Sequence, residues 1–404
     1  MVSAITVTEI SRRTTSTGSC LKSAVDTGRI PDMTLRQERI EGRLADLFGY
    51  AEAVLFGRAR SGVVALLNLL GMGEGSSFVM PSNLCPSLYA AVQGTGVDVR
   101  LATVGADNGL ARDEAMADAI VSAGTARRGI VMPAHLYGLV QDYPRTLAAA
   151  RACGWFVLEN DTIATRARIG ASGGVPFGDA LLVSFGHAKG IEVGAGGALM
   201  TNYTALAAAL RACSRNYPDL DDLAVASEYA FDALGRRLRN SSREECAPDA
   251  GERERMLLAQ TPPCRFRFPA ALCDALDDAL DAFPAVVDAR LRRKELWERA
   301  LARCGDGAVA ARAACLVPWR LTVRVPEGRN RVVDALRAAR FDAGTNYPPL
   351  WDSFPVLLAG QRTAEAERWA DEVLNLWLTD DYDAARIDIG ADIVANSLAK
   401  EGAA

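Results

Sequence analysis

The sequence predicts an α/β protein built on a mostly parallel sheet with helices on both faces. Three observations carry that expectation. Short apolar runs at 97–101, 129–132 and 156–158 read as buried strands, and alanine-rich helical runs at 112–122 and 143–153 separate them. The 404-residue chain, half hydrophobic, is long enough for two domains by the soft prior of about 150 residues each. Residues 178–202 read as strand, glycine-bounded loop and strand, with Lys189 in the loop, and ligands of such sheets gather at the carboxyl ends of the strands.

Taken in order, residues 1–34 are rich in Ser, Thr and Gly, show neither helical nor strand period, and read as an N-terminal extension over the body or a partner subunit. Ile40, Leu44, Leu47 and Phe48 then recur at helical spacing until Gly49 stops the run. Residues 53–66 give a short strand, a turn and a helix opened by Ser61-Gly62. A helix N-terminus of that kind offers free N–H groups and a positive dipole end to an anion, and a glycine permits close approach. Ser61 reads equally well as a plain N-cap. Beyond Asn202 an alanine-rich helix runs to about Ser214, residues 215–262 read as charged and irregular, and 277–301 form a long helix. Residues 316–325 and 331–340 suggest a strand and a helix, and 364–378 a helix followed by an apolar strand.

Composition narrows the function classes. No apolar run approaches the roughly 18 residues of a membrane span, and no hydrophobic signal core opens the chain, so a soluble, cytoplasmic protein is expected. Nine scattered cysteines without a C-x-x-C pair, and only two histidines, argue against a disulfide framework and a metal site. A formal charge of −5 with dispersed arginines leaves no basic stripe for nucleic acid.

Lys189 follows an apolar strand ending in Ser184-Phe185 and precedes Gly194-Ala195-Gly196-Gly197. It is either an ordinary solvated lysine or a nucleophilic amine whose proton is shed through partial burial and neighbouring cations. At these residues the chain resembles the DegT/DnrJ/EryC1/StrS aminotransferases, a family of pyridoxal-phosphate sugar aminotransferases. Their pattern runs Gly-Asp, apolar strand, Ser-Phe, three residues, Lys, six residues, Gly-Gly-Ala. The resemblance covers most of 35–215 and 262–400. It implies the fold-type I arrangement, with a large cofactor domain over 35–276, and a crossing helix with a smaller C-terminal α/β domain over 277–404. It also implies that Lys189 forms the Schiff base and that the Ser184 hydroxyl holds the cofactor phosphate.

Other positions depart from the family. Ser61-Gly62 resembles its Ser-Gly-Thr phosphate turn, with Val63 in place of threonine and Arg58 or Arg60 as substitute charge. Cys85 falls where an aromatic covers the pyridine ring; it is either a small filler or a sign of unusual chemistry, with Tyr89 as an alternative cover. Met132-Pro133-Ala134-His135-Leu136-Tyr137-Gly138 is similar to a family segment in which the histidine is structural. In Glu159-Asn160-Asp161 an ungapped match puts Asn160 at the aspartate that pairs with the pyridinium nitrogen. A local bulge would bring Asp161 there instead. Ile163 replaces a glutamine, Ala195 an acid and Trp351 a histidine. Arg265 stands where an asparagine crosses to the partner's cofactor phosphate; it is either a phosphate ligand or solvent-facing.

The implied protein is a homodimer with shared active sites, binding pyridoxal 5'-phosphate and moving an amino group from glutamate or glutamine to a keto-sugar or cyclic ketone. A bacterial specialised (natural-product) pathway is the expected setting. The rivals are modified pyridoxal chemistry, such as elimination, replacement or C–C bond formation, and a catalytically silent regulatory member.

Overall fold

A computed structural model of the chain describes residues 30–124, 128–168, 177–241, 248–311 and 313–399. All but residues 30–34 of the expected N-terminal extension lie outside the described residues. In chain order the elements are α1 (Ile30–Phe48), β1 (Glu52–Phe56), α2 (Ala59–Leu69), β2 (Ser77–Pro81), α3 (Pro86–Gln93), β3 (Asp98–Ala102), α4 (Asp113–Ala123), β4 (Gly129–Val131), β5 (Leu139–Val140), α5 (Pro144–Cys153), β6 (Phe156–Asn160), β7 (Ala180–Ser184) and β8 (Gly197–Thr201). They continue with α6 (Thr204–Arg215), α7 (Asp222–Ser241), α8 (Ala250–Ala259), α9 (Cys273–Leu301), β9 (Val309–Ala310), β10 (Ala314–Cys315), β11 (Leu321–Arg324), α10 (Arg329–Ala338), β12 (Ala343–Gly344), α11 (Ala364–Glu372), β13 (Val373–Leu376) and α12 (Ala384–Ala399).

The main sheet has seven strands in the order β1-β8-β7-β6-β4-β2-β3. Pairing is parallel from β3 to β7, and β8 runs antiparallel to both neighbours. Its strands are almost wholly buried, as expected when helices cover both faces. Side chains alternate across it. Leu158, Ala180 and Leu182 join Val63, Leu66 and Tyr89 of α2 and α3 in one core, while Leu181, Val183 and Phe185 face α1 and α9 on the other side.

A second sheet, β12-β13-β11-β9, is antiparallel and closes its own core with Trp297, Leu336, Phe341 and Val394. Helix α9 connects the two: Leu276, Leu280 and Phe283 pack in the first body and Trp297 and Leu301 in the second. A short ribbon of β5 with β10 ties them again.

The stretch 215–262, expected to be irregular, carries α7 and α8. In α7, Ala224, Phe231 and Leu238 are buried at a spacing of seven, a stripe too narrow among charged neighbours to stand out as an apolar face. Among the described residues no helix is long and apolar enough to cross a membrane.

Gly197 opposes Ser184 in the β7–β8 register and sits against the first turn of α2. A Cβ there would lie 2.6 Å from the Ala59 Cα and 2.7 Å from the Val183 carbonyl oxygen. Those are backbone atoms that cannot swing aside. Gly197→Ala is expected to destabilise the protein by about 1–3 kcal/mol through overpacking, read as a lowered urea midpoint with an unchanged slope.

Candidate active site

Lys189 lies in the loop that leaves β7, and that loop is fastened at several points. Val193 N–H donates to the Phe185 carbonyl at 3.0 Å, and Gly186 bridges Gly194. Glu192 holds the turn, accepting from Ala188 N–H at 2.9 Å and bonding His187 Nδ1 at 2.7 Å. Ala188 has φ +60°, a left-handed conformation that an alanine adopts only when its surroundings impose it. The carbonyls flanking the lysine are held from outside the sheet. Trp319 Nε1 donates to the Ala188 oxygen at 2.5 Å and Arg290 Nη2 to the Lys189 oxygen at 3.3 Å. Gly190 follows because a Cβ there would fall 2.3 Å from the Ile163 carbonyl oxygen.

The half-buried Lys189 has no hydrogen-bond partner for its Nζ among the described residues. Burial, and then the positive charge of Arg320, push its pKa below the ordinary value, with the Cys85 sulfur acting in the opposite sense. Both effects favour the neutral, nucleophilic amine.

Ser184 closes β7 on the α2/α3 face, and its Oγ accepts from Gly186 N–H at 3.3 Å. Through Gly197 it adjoins the N-terminus of α2, where the capping position, Arg58, makes no side-chain cap bond. A hydroxyl and first-turn amides thus converge on one spot suited to an anion.

Asn160 pairs with Leu182 in the β6–β7 register and so shares this face with Ser184. It is 2% exposed, and its amide has weak partners: Nδ2 reaches Met132 Sδ at 3.8 Å and Oδ1 accepts from Thr162 N–H at 3.3 Å. Asp161 lies on the opposite face. Its backbone continues the ladder to Leu182, and its carboxylate accepts from Thr165 N–H at 2.7 Å and Arg166 N–H at 2.8 Å. No bulge turns it towards Ser184.

Other sequence candidates have different surroundings. The Ser61 hydroxyl donates to the Cys264 carbonyl, and Gly62 lets α2 pack on Leu199 and Phe56, each about 3 Å from a hypothetical Cβ. Arg58 and Arg60 both pair with Glu228 of α7 and are not free charges. Arg265 is exposed, carried beside the start of α2 by the Ser61–Cys264 bond and by Gly57 N–H to the Phe266 carbonyl at 2.8 Å. Cys85 is exposed at the N-terminus of α3, within electrostatic reach of Lys189, and its Sγ lies 3.0 Å from Ser87 Oγ. Tyr89 is buried against Phe354 with ring centres 4.4 Å apart, so it cannot cover a ligand. Val63, Ile163, Ala195 and Trp351 are core residues, and so is His135, 3.3 Å from Glu159.

The second body brings residues to the lysine that sequence reasoning missed. Tyr347 stacks on Trp319 at 6.0 Å with 7° between planes. The Arg320 guanidinium lies 3.9 Å from the Trp319 ring centre and 3.4 Å from that of Trp377. Burial pushes the Arg320 pKa down to about 10, and burial also lowers that of Arg290. The adjacent Trp-Arg pair was the one local signal, and nothing in sequence linked it to a lysine over a hundred positions away.

The residues fit pyridoxal phosphate: an unpartnered, pKa-lowered amine, a hydroxyl beside an uncapped helix N-terminus, and a buried, weakly bonded amide on the same face. The comparisons agree. Residues 19–394 match the DegT/DnrJ/EryC1/StrS aminotransferase family. A UDP-N-acetyl-3-dehydro-alpha-D-glucosamine 3-aminotransferase of Acidithiobacillus ferrooxidans is 30% identical over 40% of this chain, which spans 43% of that relative's length. A GDP-perosamine synthase of Caulobacter vibrioides is 25% identical over 77% of this chain and 76% of its own. The structure of S. venezuelae DesV in complex with a ketimine intermediate superposes with a TM-score of 0.68 at 21% identity, covering 97% of this chain and 93% of that one. The fold is that of the fold-type I pyridoxal-phosphate aminotransferases.

Asp161 supplies a pH test. Burial raises its pKa from 3.8 to about 6, against the opposing pull of His135 and the two N–H groups. A folded state that holds a proton the unfolded chain has released loses stability as pH rises between those values. The loss is about 3 kcal/mol at most. Asp161→Asn is expected to flatten stability between pH 4 and 6, measured by urea denaturation across that range.

Proposed function

We propose a pyridoxal-phosphate-dependent sugar aminotransferase function for this chain, which belongs to the DegT/DnrJ/EryC1/StrS aminotransferase family. The observation that carries the reading is Lys189. Its backbone is fixed on both sides by Trp319 and Arg290, and its amine is left unpartnered with a lowered pKa. The sugar class rests on relatives named for nucleotide-sugar chemistry. Glutamate or glutamine as donor, a keto-sugar or cyclic ketone as acceptor, and a specialised bacterial pathway complete the proposal.

Pyridoxal phosphate, when bound, supplies an aldehyde that condenses with amines and a ring that draws electrons from the bond to the donor's Cα hydrogen. The chain's own residues do the rest. Ser184 Oγ and the first-turn amides of α2 would hold the phosphate, with the exposed Arg265 adding charge from the same chain or a partner. Lys189 Nζ would hold the cofactor through its aldehyde and, once freed by a donor amine, would serve as the neutral base that moves the proton at the donor's Cα. The aromatic group of Trp319 and Tyr347 excludes water from that side.

A homodimer with shared sites is part of the proposal. Leu223 and Tyr229 of α7 and Met256 of α8 are exposed apolar side chains on the helices that precede the Arg265 segment. They suit burial against a second copy.

A second reading, pyridoxal chemistry other than transamination, is favoured by Asn160. A neutral amide in the place of a carboxylate partner would leave the cofactor ring less protonated and a weaker electron sink. A catalytically silent member is the third, opposed by the prepared amine.

On adding pyridoxal phosphate, a visible absorbance band is expected that Lys189→Ala lacks and that glutamate or glutamine bleaches. Cofactor attachment should speed up with pH and level off below the ordinary lysine pKa of 10.5. A stable band indifferent to both donors supports modified chemistry, and no band supports the silent member. Asn160→Asp is expected to shift the band's pH dependence by stabilising the protonated ring, separating the first two readings.

A further inference from the structure

A guanidinium presents two apolar faces and an edge that carries all its hydrogen-bond donors. The Arg320 guanidinium carbon lies over two indole rings, 3.9 Å from the Trp319 ring centre and 3.4 Å from that of Trp377. Among the described residues its edge has no hydrogen-bond partner and no carboxylate in ion-pair contact, and its Nη1 is fully buried. Arg290 repeats the pattern. Its Nη2 holds the Lys189 carbonyl at 3.3 Å, while its buried Nη1 has no partner. The two guanidiniums lie within electrostatic reach of each other, and Arg320 within reach of Lys189. Glu192 and Asp380 approach Arg290, and Asp342 approaches Arg320, without bonding them. Buried guanidinium N–H groups without a hydrogen-bond partner are destabilising, and stacking on indoles compensates only in part.

We propose that the edges of Arg320 and Arg290 form the site for an anionic group of the substrate, held as an oxyanion beside the Lys189 amine. This rests on the aminotransferase reading and deepens it by giving the substrate a charged anchor. Two sources share that chemistry: a carboxylate of the amino donor, and the diphosphate of a nucleotide-linked acceptor. A guanidinium fork suits both. The stack fixes the fork's orientation in advance, so little side-chain entropy is lost when the anion binds.

Trp319 and Trp377 serve as reporters. The full chain, with and without pyridoxal phosphate, is titrated with glutarate and separately with uridine diphosphate while tryptophan fluorescence is followed. At least one probe is expected to bind saturably, glutarate marking the donor source and uridine diphosphate the acceptor source. Arg320→Gln and Arg290→Gln should each weaken that binding roughly ten- to a hundredfold. Arg320→Lys, which keeps the charge but loses the fork and the planar stack, should fall between and decides the matter if the glutamine variants do not fold. Failure of both probes to saturate the wild type, or equal affinity in wild type and variants, overturns the proposal. Titration without cofactor keeps this result separate from that of the visible band, which tests the aminotransferase reading itself.

Discussion

A single buried carboxylate organises the main sheet. Glu159, near the end of β6, accepts from Phe177 N–H and Gly178 N–H at 2.8 Å each, contacts the Tyr50 hydroxyl and His135 Nε2 at 3.3 Å, and lies 3.4 Å from Arg166. Burial by itself would raise its pKa; the His135 hydrogen bond, the charges of His135 and Arg166 and the Gly178 N–H together hold it below the usual carboxylate value. A charge in a core is tolerated only with such partners. The partners come from the approach to β1, the exit of β4, the turn after β6 and the re-entry into β7, so one side chain fixes where four segments meet. Because side chains alternate, the network on Glu159's face also fixes Asn160 on the other, towards Ser184.

The Lys189 loop depends on a second constraint, set across the two bodies. Trp319 and Arg290 hold consecutive carbonyls on either side of the Lys189 Cα, and neither belongs to the main sheet. A backbone held at that point leaves the lysine few directions in which to extend, the pre-organisation that proximity catalysis needs. Burial, together with the charge of Arg320 next to Trp319, lowers its pKa. Backbone position and lowered pKa therefore share one cause, the docking of the antiparallel sheet and α9 against the β7–β8 loop.

The departures from the family pattern fall into two kinds. At Val63, Ile163, Ala195 and Trp351 an apolar residue is buried in the core, which is packing. Asn160, Cys85 and Arg265 are not core fillers: the first is a weakly bonded amide, the second an exposed thiol and the third an exposed arginine.

The order of strands and helices was legible because buried strands and amphipathic helices announce themselves by period, and the loop that carries Lys189 after Ser184 was legible because it is local. Helices α7 and α8 were not, since their buried stripe is thin and their tertiary contacts supply the stability that composition lacks. Which of Asn160 and Asp161 shares a face with Ser184 could not be read from sequence, because one bulge reverses strand parity; the unbroken ladder to Leu182 puts Asn160 there. Trp319, Arg320, Tyr347 and Arg290 are far from Lys189 in sequence and meet it only when α9 and the second sheet close over the loop. Sequence by itself thus determined the fold class and singled out Lys189 as a candidate. The surroundings that lower its pKa belong to the tertiary structure, because desolvation and charge act through space and not along the chain.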